Sequence, residues 1–444
     1  MKKIFTPFIL WYIRVAAKIQ LQKNNPKIIG IGGSSGKSSL ASLVAGILQS
    51  HYRVNTTKEK NSETGIPLHI LNIHIEPFSY LSWLKAIARV PLQLLFYFPN
   101  FDVLIAEMGI DSPVEPKNMS YLLKIIQPSI GVVTNITPEH SVFFDPYVEE
   151  KDETIRTKKI LELTAQQELL LLHSLPLGGC AVINRDDRSI ARAEREIVAR
   201  KISISTKDIT ATIFAKHIFL TTIHPSMTIV YKNNDYVLRT SQQLPIHFAY
   251  EFLCAIGLSL GIGLSIQEAI DGLTQHLLLP PGRMTILKGI KNTTIIDSSY
   301  NNATLPPILD MLDFLKDIAQ SKRKVAIIGD MRELGSQSKE NHEVVAQKLL
   351  MSANLIILIG PLLRNYAAPI LKAQKANFYA FDTFSAARAT ILQELREKDT
   401  ILVKGSQNTL FLERVVEMLL ENKKDVEKLC RRGAFWDMKR EQTL

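Results

Sequence analysis

The residues with the clearest chemistry form one glycine- and serine-rich run near the N-terminus, Gly32-Gly33-Ser34-Ser35-Gly36-Lys37-Ser38-Ser39. Glycines in such a run let backbone N–H groups turn toward a phosphate, and a following helix adds partial positive charge at its N-terminus. Lys37 is then placed to reach the β- and γ-phosphates, and the Ser38 hydroxyl to coordinate Mg²⁺. The spacing fits GxxGK[ST] from Gly33 to Ser38, since Ile31 stands where the longer pattern has a glycine. The run predicts a site for ATP and Mg²⁺, with a purely structural turn as the alternative.

A phosphate loop needs a strand before it and a helix after it, and both patterns flank this run. Residues 27–32 are an apolar run typical of a strand, and residues 38–50 have the pattern of a helix. Residues 201–245 alternate β-branched and polar residues, which indicates a small antiparallel section with a turn at Asn233-Asn234-Asp235. Further strands, each ending in polar residues where a parallel sheet binds its ligands, are predicted at 102–108 and 130–135.

The paired prolines and glycine of Pro280-Pro281-Gly282 mark a domain boundary, because they cannot continue a helix. Strands and helices alternate on both sides of it, which predicts an α/β fold. The later strands are expected at 293–296, 324–328, 355–359 and 400–403. We therefore expect an N-terminal amphipathic helix in residues 1–26, a central ATP-binding domain with a mostly parallel sheet in 27–282, and a smaller Rossmann-like domain in 283–444.

Composition narrows the class of protein. The 444 residues include 46% hydrophobic and 22% charged residues, as in a globular chain, which excludes a disordered protein. Lys and Arg number 53 against 43 Asp and Glu, a net charge of +10. This charge is spread along the chain without a base-reading motif, so a nucleic-acid-binding ATPase is the least favoured hypothesis. Three distant cysteines fit neither a disulfide framework nor a zinc site, which favours the reducing cytoplasm.

The N-terminal segment is apolar, but Arg14 and Lys18 interrupt it and no small-residue cleavage site follows. Its apolar run is shorter than the ~20 residues that span a bilayer. We expect residues 4–21 to form an amphipathic helix that either packs on the protein or contacts the inner face of the membrane.

From about residue 27 to 420 the chain resembles the Mur ligases, ATP-dependent amide-forming enzymes of peptidoglycan synthesis. Within that family it is most similar to the branch that adds D-alanyl-D-alanine to UDP-N-acetylmuramoyl-tripeptide. The resemblance rests on ordered motifs, and their order and spacing carry more weight than any single one. Besides the phosphate loop they are Asn61-Ser62-Glu63-Thr64-Gly65-Ile66-Pro67, Ala106-Glu107-Met108-Gly109, Thr134-Asn135-Ile136-Thr137-Pro138-Glu139-His140, Asn184-Arg185-Asp186-Asp187, Pro281-Gly282-Arg283, Asp297-Ser298-Ser299-Tyr300-Asn301, Gly329-Asp330-Met331-Arg332-Glu333-Leu334-Gly335 and Val403-Lys404-Gly405-Ser406.

The resemblance implies a reaction. The γ-phosphoryl group of ATP is transferred to a substrate carboxylate, an amine attacks the acyl phosphate, and phosphate leaves. Both steps collect negative charge, so fixed cations and hydrogen-bond donors matter more than a protein nucleophile. The implied cofactors are ATP and Mg²⁺. The implied substrates are UDP-N-acetylmuramoyl-tripeptide and D-Ala-D-Ala, or a related acid and amine, and the expected protein is a cytoplasmic monomer without a nucleic-acid partner.

The resemblance also assigns roles to residues of this sequence. The implied metal ligands are Ser38, Glu107, His140 and a carbamylated lysine that aligns best with Lys158, although Lys159 remains open. The catalytic residues are Lys37, His140, Lys158 and Arg283, and we expect Arg283 to enter the site when the domains close. Lys404 to Ser406 correspond to the region that holds the dipeptide. The nucleotide is expected to contact Gly33, Ser34, Ser35, Gly36, Lys37, Ser38, Ser39, Asn135, Glu251, Arg283 and Asp297.

Three departures from the family pattern keep other hypotheses open. Only residues 1–26 precede the first predicted strand, so we expect the usual UDP-binding domain to be missing. Ser298 replaces a second carboxylate, and Glu251 stands where an asparagine usually meets the adenine. The alternatives are a Mur-type ligase for another acid and amine, such as a lipid-linked muropeptide, a poly-amino acid or a folylpolyglutamate-type substrate, and a non-catalytic nucleotide-binding partner subunit.

Overall fold

The computed structural model describes residues 2–58, 60–75, 80–137, 141–300, 305–318, 323–332, 334–406 and 410–441. The chain forms two compact units. Unit 1 consists of residues 1–217, 227–238 and 249–278, and unit 2 of residues 218–226, 239–248 and 279–444.

The larger sheet has nine strands: β1 (Lys27–Gly32), β2 (Val54–Thr56), β3 (Val103–Glu107), β4 (Ile130–Val133), β5 (Cys180–Asn184), β6 (Arg200–Ser205), β7 (Ile213–Phe219), β8 (Ser226–Tyr231) and β9 (Asn234–Arg239). Their order is β2-β3-β1-β4-β5-β6-β7-β8-β9, and the pairs from β2 through β7 are parallel. Apart from Glu107 at the end of β3, the buried residues of β1, β3 and β4 are apolar on both faces, as expected for strands covered by helices on both sides.

The helices of this part are α1 (Lys2–Gln22), α2 (Lys37–Leu48), α3 (Gly65–Ile70), α4 (Tyr80–Phe96), α5 (Met119–Leu123), α6 (Ser141–Phe144), α7 (Glu153–His173), α8 (Arg188–Ala193), α9 (Phe248–Ile262) and α10 (Ile266–Gln275). The N-terminal helix packs on the protein through Leu10, Ile13, Ala17 and Leu21, which are buried in the core of unit 1. None of the helices in the described ranges combines the length and the apolarity needed to cross a membrane.

The smaller sheet has six strands: β10 (Thr285–Gly289), β11 (Thr293–Ser298), β12 (Lys324–Gly329), β13 (Leu355–Ile359), β14 (Phe378–Phe381) and β15 (Thr400–Lys404). The order is β10-β11-β15-β12-β13-β14, and every pair except the antiparallel β10–β11 is parallel. Its helices are α11 (Leu305–Asp317), α12 (Ser338–Ser352), α13 (Ala368–Ala373), α14 (Phe384–Glu394), α15 (Glu413–Leu419) and α16 (Ala434–Glu441). The predicted α/β fold with mostly parallel sheets is confirmed.

Two details of the prediction for residues 201–245 are wrong. β6 pairs in parallel with both β5 and β7, so the parallel part of the sheet extends into the region predicted to be antiparallel. The turn between β8 and β9 is Lys232-Asn233, whose φ values of 49° and 62° are those of a tight hairpin turn. The predicted turn included Asn234 because asparagine tolerates the left-handed conformation well. In the structure Asn234 is the first residue of β9, so the turn ends one residue earlier.

Candidate functional site

The phosphate loop connects the end of β1 to the start of α2, whose first residue is Lys37. Gly33 and Gly36 have φ values of 112° and 80°, a conformation that glycine adopts without strain. A Cβ atom at Gly33 would collide with Thr134 Oγ1, so the loop also needs glycine for close packing. The result is a turn followed directly by the N-terminus of a 12-residue helix, the arrangement that binds phosphate through backbone N–H groups.

A hydroxyl and a carboxylate meet at this helix start. Ser38 Oγ donates a hydrogen bond to Glu107 Oε2 at 2.6 Å, and both side chains are buried. Glu107 is the last residue of β3, and its own backbone N–H donates to Thr57 Oγ1 at 3.1 Å. Two hard oxygen donors beside a phosphate loop suit Mg²⁺, which binds few protein oxygens and takes its other ligands from water and phosphate.

The residues directly after β4, the neighbour of β1, hold the loop in place. Asn135, just after β4, accepts hydrogen bonds from Ser35 N at 3.1 Å and Ser35 Oγ at 3.2 Å through its Oδ1. The neighbouring Thr134 Oγ1 donates to Ser35 O at 2.6 Å, and Ser34 N donates to Asn135 O at 2.9 Å. Asn135, predicted to bind nucleotide, thus lies against the loop itself.

Lys37 folds back over the loop. Its Nζ donates to Gly33 O and, at 3.1 Å, to Ser34 O. A side chain in this position keeps its positive charge next to the backbone N–H groups that would face a phosphate. Both of these acceptors are backbone carbonyls and not carboxylates.

Two carboxylates lie close to the glycines. Glu168 of α7 is buried, and its Oε2 accepts a hydrogen bond from Gly33 N at 2.7 Å. Glu251 of α9 lies on the other side, with Oε1 3.2 Å from the position of a Cβ atom on Gly36. Glu251 was predicted to meet the adenine, whereas Glu168 was missed.

The predicted metal site is only partly described. His140 lies outside the described residues. Lys158 is exposed on α7 and forms no ion pair among the described residues, whereas Lys159 Nζ lies 2.9 Å from Glu150 Oε2. Glu168, which touches the loop, is ten residues further along the same helix, about 15 Å at the α-helical rise. In the described ranges no group of three or more His, Cys, Asp and Glu side chains could hold a metal ion by itself.

Unit 2 contains the other predicted residues around a buried ion pair. Arg431 Nη2 lies 2.8 Å from Glu413 Oε2, with the two side chains 1% and 0% exposed. The Tyr300 ring packs against the guanidinium groups of Arg431 and Arg283, whose Cζ atoms lie 5.0 Å and 5.6 Å from the ring centre. Within the described part, Arg283 Nε has no hydrogen-bond partner.

Asp297, at the end of β11, is fully buried next to this pair. Its Oδ1 accepts a hydrogen bond from Ser299 N at 3.0 Å. Burial raises the pKa of Asp297, and Arg431 opposes that rise. Burial likewise raises the pKa of the Glu413 carboxyl and lifts that of the Cys430 thiol to about 12. The predicted contact of Asp297 with nucleotide stays a prediction.

Comparison with known families decides the assignment. The Mur ligase middle domain matches residues 31–259, and the domain described as Mur ligase, glutamate ligase domain, matches residues 282–407. The chain belongs to the Mur ligase family. The first match alone covers more than half of the chain, and it includes the phosphate loop, Glu107 and Asn135.

Two curated relatives of this Mur ligase carry the name UDP-N-acetylmuramoyl-tripeptide–D-alanyl-D-alanine ligase. The protein from Buchnera aphidicola is 26% identical over 417 residues, covering 92% of this chain and 78% of its own. The one from Escherichia coli is 23% identical over 411 residues, covering 89% and 77%.

Solved structures show the same fold. MurF from Acinetobacter baumannii matches with a TM-score of 0.72 at 19% identity, covering 93% of this chain and 81% of that one. MurF ligase from Thermotoga maritima, solved in complex with ADP, matches with a TM-score of 0.70 at 17% identity, covering 95% and 84%.

Sequence reasoning missed three polar residues that the Mur ligase fold places at these sites. Glu168 could have been found from the sequence, because it is a carboxylate on the same buried helix face as Leu171 and Leu172. Glu413 and Arg431 carry no such local signal. They lie in separate segments, and only the packing of unit 2 brings them together.

Proposed function

We propose that this Mur ligase joins D-alanyl-D-alanine to UDP-N-acetylmuramoyl-tripeptide in an ATP-dependent reaction that passes through an acyl phosphate. The observation that carries the proposal is the 2.6 Å hydrogen bond between Ser38 Oγ and Glu107 Oε2 at the start of α2, directly after a glycine loop. The choice of substrates is supported by the names of the curated relatives, which match about nine-tenths of this chain.

The described residues of unit 1 perform the phosphate-binding part of this reaction. The backbone N–H groups at the start of α2 point along the helix axis and stabilise negative charge on the transferred phosphoryl group. Lys37 supplies a mobile cation, because its present acceptors are carbonyl oxygens that a phosphate can replace. Asn135 and Thr134 keep the loop in this shape without contributing charge.

Ser38 and Glu107 would hold Mg²⁺ at this site. When bound, Mg²⁺ neutralises charge that accumulates on the phosphate oxygens. Glu107 is suited to this task since burial excludes water from its carboxylate, and the hydrogen bond to Thr57 fixes its backbone.

The remaining assignments are part of the same proposal. We infer that Arg283 and His140 stabilise the transferred phosphoryl group, and that Lys158 supplies an anionic oxygen after carbamylation. Asn135, Glu251 and Asp297 are proposed to contact the nucleotide. Glu251 is supported by its position against Gly36, on the loop that receives the phosphates.

We also propose that the enzyme is a cytoplasmic monomer with the domain boundary at residues 282–283. All three cysteines are buried free thiols, which fits a reducing compartment. A boundary there follows the paired prolines and lies close to residue 279, where the main segment of unit 2 begins.

Phosphate release from ATP and Mg²⁺ tests the function directly. The purified chain is assayed with UDP-N-acetylmuramoyl-tripeptide and D-Ala-D-Ala, and each component is omitted in turn. We expect release only when both substrates are present, together with formation of the pentapeptide product. ATP binding without release under any of these conditions would overturn the substrate assignment, and release with a different acid would redirect it.

A further inference from the structure

The helices α1 and α4 expose an unusual number of large apolar side chains. We call these residues the α1–α4 surface: Phe8, Trp11 and Ile19 on α1, Leu81, Leu84, Leu92, Leu95 and Phe96 on α4, and Phe98 just after it. Phe96 is 76% exposed, and Leu84 and Leu95 are 65% exposed. Single exposed apolar residues are normal, but this many on two neighbouring helices indicate a surface that binds another apolar surface.

The exposed residues of α4 form one stripe. At 3.6 residues per turn, Leu81, Leu84, Leu92 and Leu95 fall within an arc of about 80°. Ala86 and Val90, on the opposite side, are buried in the core of unit 1. The helix is therefore already anchored by a second apolar face, and its exposed stripe is not needed for packing within unit 1.

The exposed residues of α1 follow the same rule. Phe8, Trp11 and Ile19 lie on one side of the helix, and the buried Leu10, Ile13, Ala17 and Leu21 lie on the other. In both helices the outward face has the residue types of an amphipathic helix that rests in a bilayer interface.

Hydrogen bonds join the two helices into one piece. Gln20 Nε2 donates to Tyr97 O at 2.6 Å. Lys23 Nζ donates to Leu94 O and to Tyr97 O, the latter at 3.2 Å, and lies 4.8 Å from the centre of the Phe98 ring. The C-terminal ends of the two helices are therefore held against each other.

The charges of the two helices have one sign. Neither α1 nor α4 contains an aspartate or glutamate. Lys18 is exposed on α1, and Lys85 and Arg89 are exposed on α4, where both lie on one side of the leucine stripe. This pattern complements a surface that has negative charges beside an apolar layer. A second copy of the same surface would place like charges opposite each other.

We propose that the α1–α4 surface binds the interface of a bilayer that contains anionic lipids, with both helices lying on the membrane. The apolar side chains would enter the boundary between headgroups and acyl chains, and the lysines and arginine would contact lipid phosphates. The inference does not depend on the substrates of the ligase, because every residue in it lies outside the phosphate loop.

Vesicle sedimentation of the full chain tests the proposal. Vesicles of phosphatidylcholine alone are compared with vesicles that also contain phosphatidylglycerol, at low and high salt. We expect binding about tenfold tighter to the anionic vesicles, weakening as salt increases. Equal binding to both vesicle types, or no binding to either, would overturn it.

Two double variants identify the surface. Leu92→Ser with Leu95→Ser removes apolar contact, and Lys85→Glu with Arg89→Glu reverses charge, and each should weaken binding to anionic vesicles about tenfold. The matched control is Leu177→Ser with Ile209→Ser, two residues 80% and 78% exposed outside the surface, which should bind like the parent. Substitutions at exposed positions usually change stability little, so all variants should fold like the parent. Circular dichroism checks that they do.

Two further results distinguish this inference from others. If the parent chain dimerises without lipid and the leucine variant is monomeric, the surface is an interface between copies and the proposal is wrong. Ligation in lipid-free solution is measured on the same variants and should match the parent. Loss of vesicle binding with retained ligation supports the membrane surface and leaves the proposed function intact, whereas absence of ligation in the parent rejects the function alone.

Discussion

Ser38 and Glu107 show how much of the proposed chemistry depends on single side chains. Their hydrogen bond joins the start of α2 to the end of β3. Two hard oxygen donors at a helix N-terminus form a place where a divalent cation can bind. The pair is therefore the place where the metal dependence of the enzyme should be most sensitive to substitution.

Glu107→Gln and Ser38→Ala should each lower kcat/KM about a hundredfold or more, and raise the Mg²⁺ concentration needed for half-maximal activity. The glutamine keeps the shape of the side chain, so the fold should be retained. Phosphate release titrated with Mg²⁺ measures both effects. Asp102→Asn is the control, since Asp102 precedes the same strand at its opposite end and pairs with the exposed Arg53. An unchanged Mg²⁺ response in the Glu107 variant would remove this residue from the metal site.

Glu168 should act on the loop through its hydrogen bond. Glu168→Ala leaves the buried Gly33 N–H without this acceptor and should lower the free energy of unfolding by about 1–3 kcal/mol. Glu168→Gln keeps an acceptor and should cost less. Urea unfolding of the two variants measures the difference. Equal stability of the alanine and glutamine variants would show that this hydrogen bond does not hold the loop.

At the scale of elements, polar pairs connect separate helices, strands and loop segments. In unit 2, α15 contributes Glu413 and the segment before α16 contributes Arg431, and neither side chain is exposed to water. In unit 1, His69 of α3 is joined to Asn55 of β2 by a hydrogen bond of 2.9 Å between Nε2 and Oδ1. Substituting or protonating one member of such a pair should change the free energy of unfolding.

Arg431→Met should lower the free energy of unfolding by about 3–5 kcal/mol, because it leaves Glu413 buried without its cation. The double variant with Glu413→Leu should recover most of that loss. Thermal and urea unfolding of the single and double variants form the cycle. If the double variant is no more stable than the single one, the ion pair is not the cause of the loss.

Acid should destabilise the folded chain at His69. Burial, helped by the charges of Lys60, His74 and Lys58, lowers the pKa of His69 to about 4. The neutral form is favoured in the folded state, so its contribution is complete above the ordinary pKa of about 6.5 and is lost as pH falls toward 4. The free energy of unfolding should decrease over this range less steeply in His69→Gln than in the parent. Identical pH profiles would contradict this assignment.

The whole molecule divides its predicted site residues between two compact units. The phosphate loop, Glu107, Asn135, Lys158 and Glu251 belong to unit 1, whereas Arg283 and Asp297 belong to unit 2. The residues around the loop belong to β3, α7 and α9 or directly follow β4. Ligand binding at the loop should therefore stabilise several elements of unit 1.

ATP with Mg²⁺ should stabilise the folded chain by about 2.7 kcal/mol at a ligand concentration a hundredfold above Kd. Hydrogen exchange should slow first at the loop and at the ends of β3 and β4. Lys37→Ala should fold normally and lose most of this stabilisation together with turnover. Calorimetry and hydrogen exchange of both proteins provide the measurements. Near-normal activity in the variant would refute the role of Lys37.

Local patterns in the sequence were sufficient for the phosphate loop, most of the strands and the family, because a glycine turn and an apolar run act over a few residues. Tertiary structure decided what lies next to them. Ser38 and Glu107 are 69 positions apart, and Gly33 and Glu168 are 135 apart. The sequence also predicted that residues 4–21 form an amphipathic helix, but only packing showed which residues of α1 and α4 are buried and which are exposed. The physical reason is that burial and pairing of polar groups depend on which distant segments fill the same space, and no local pattern records that choice.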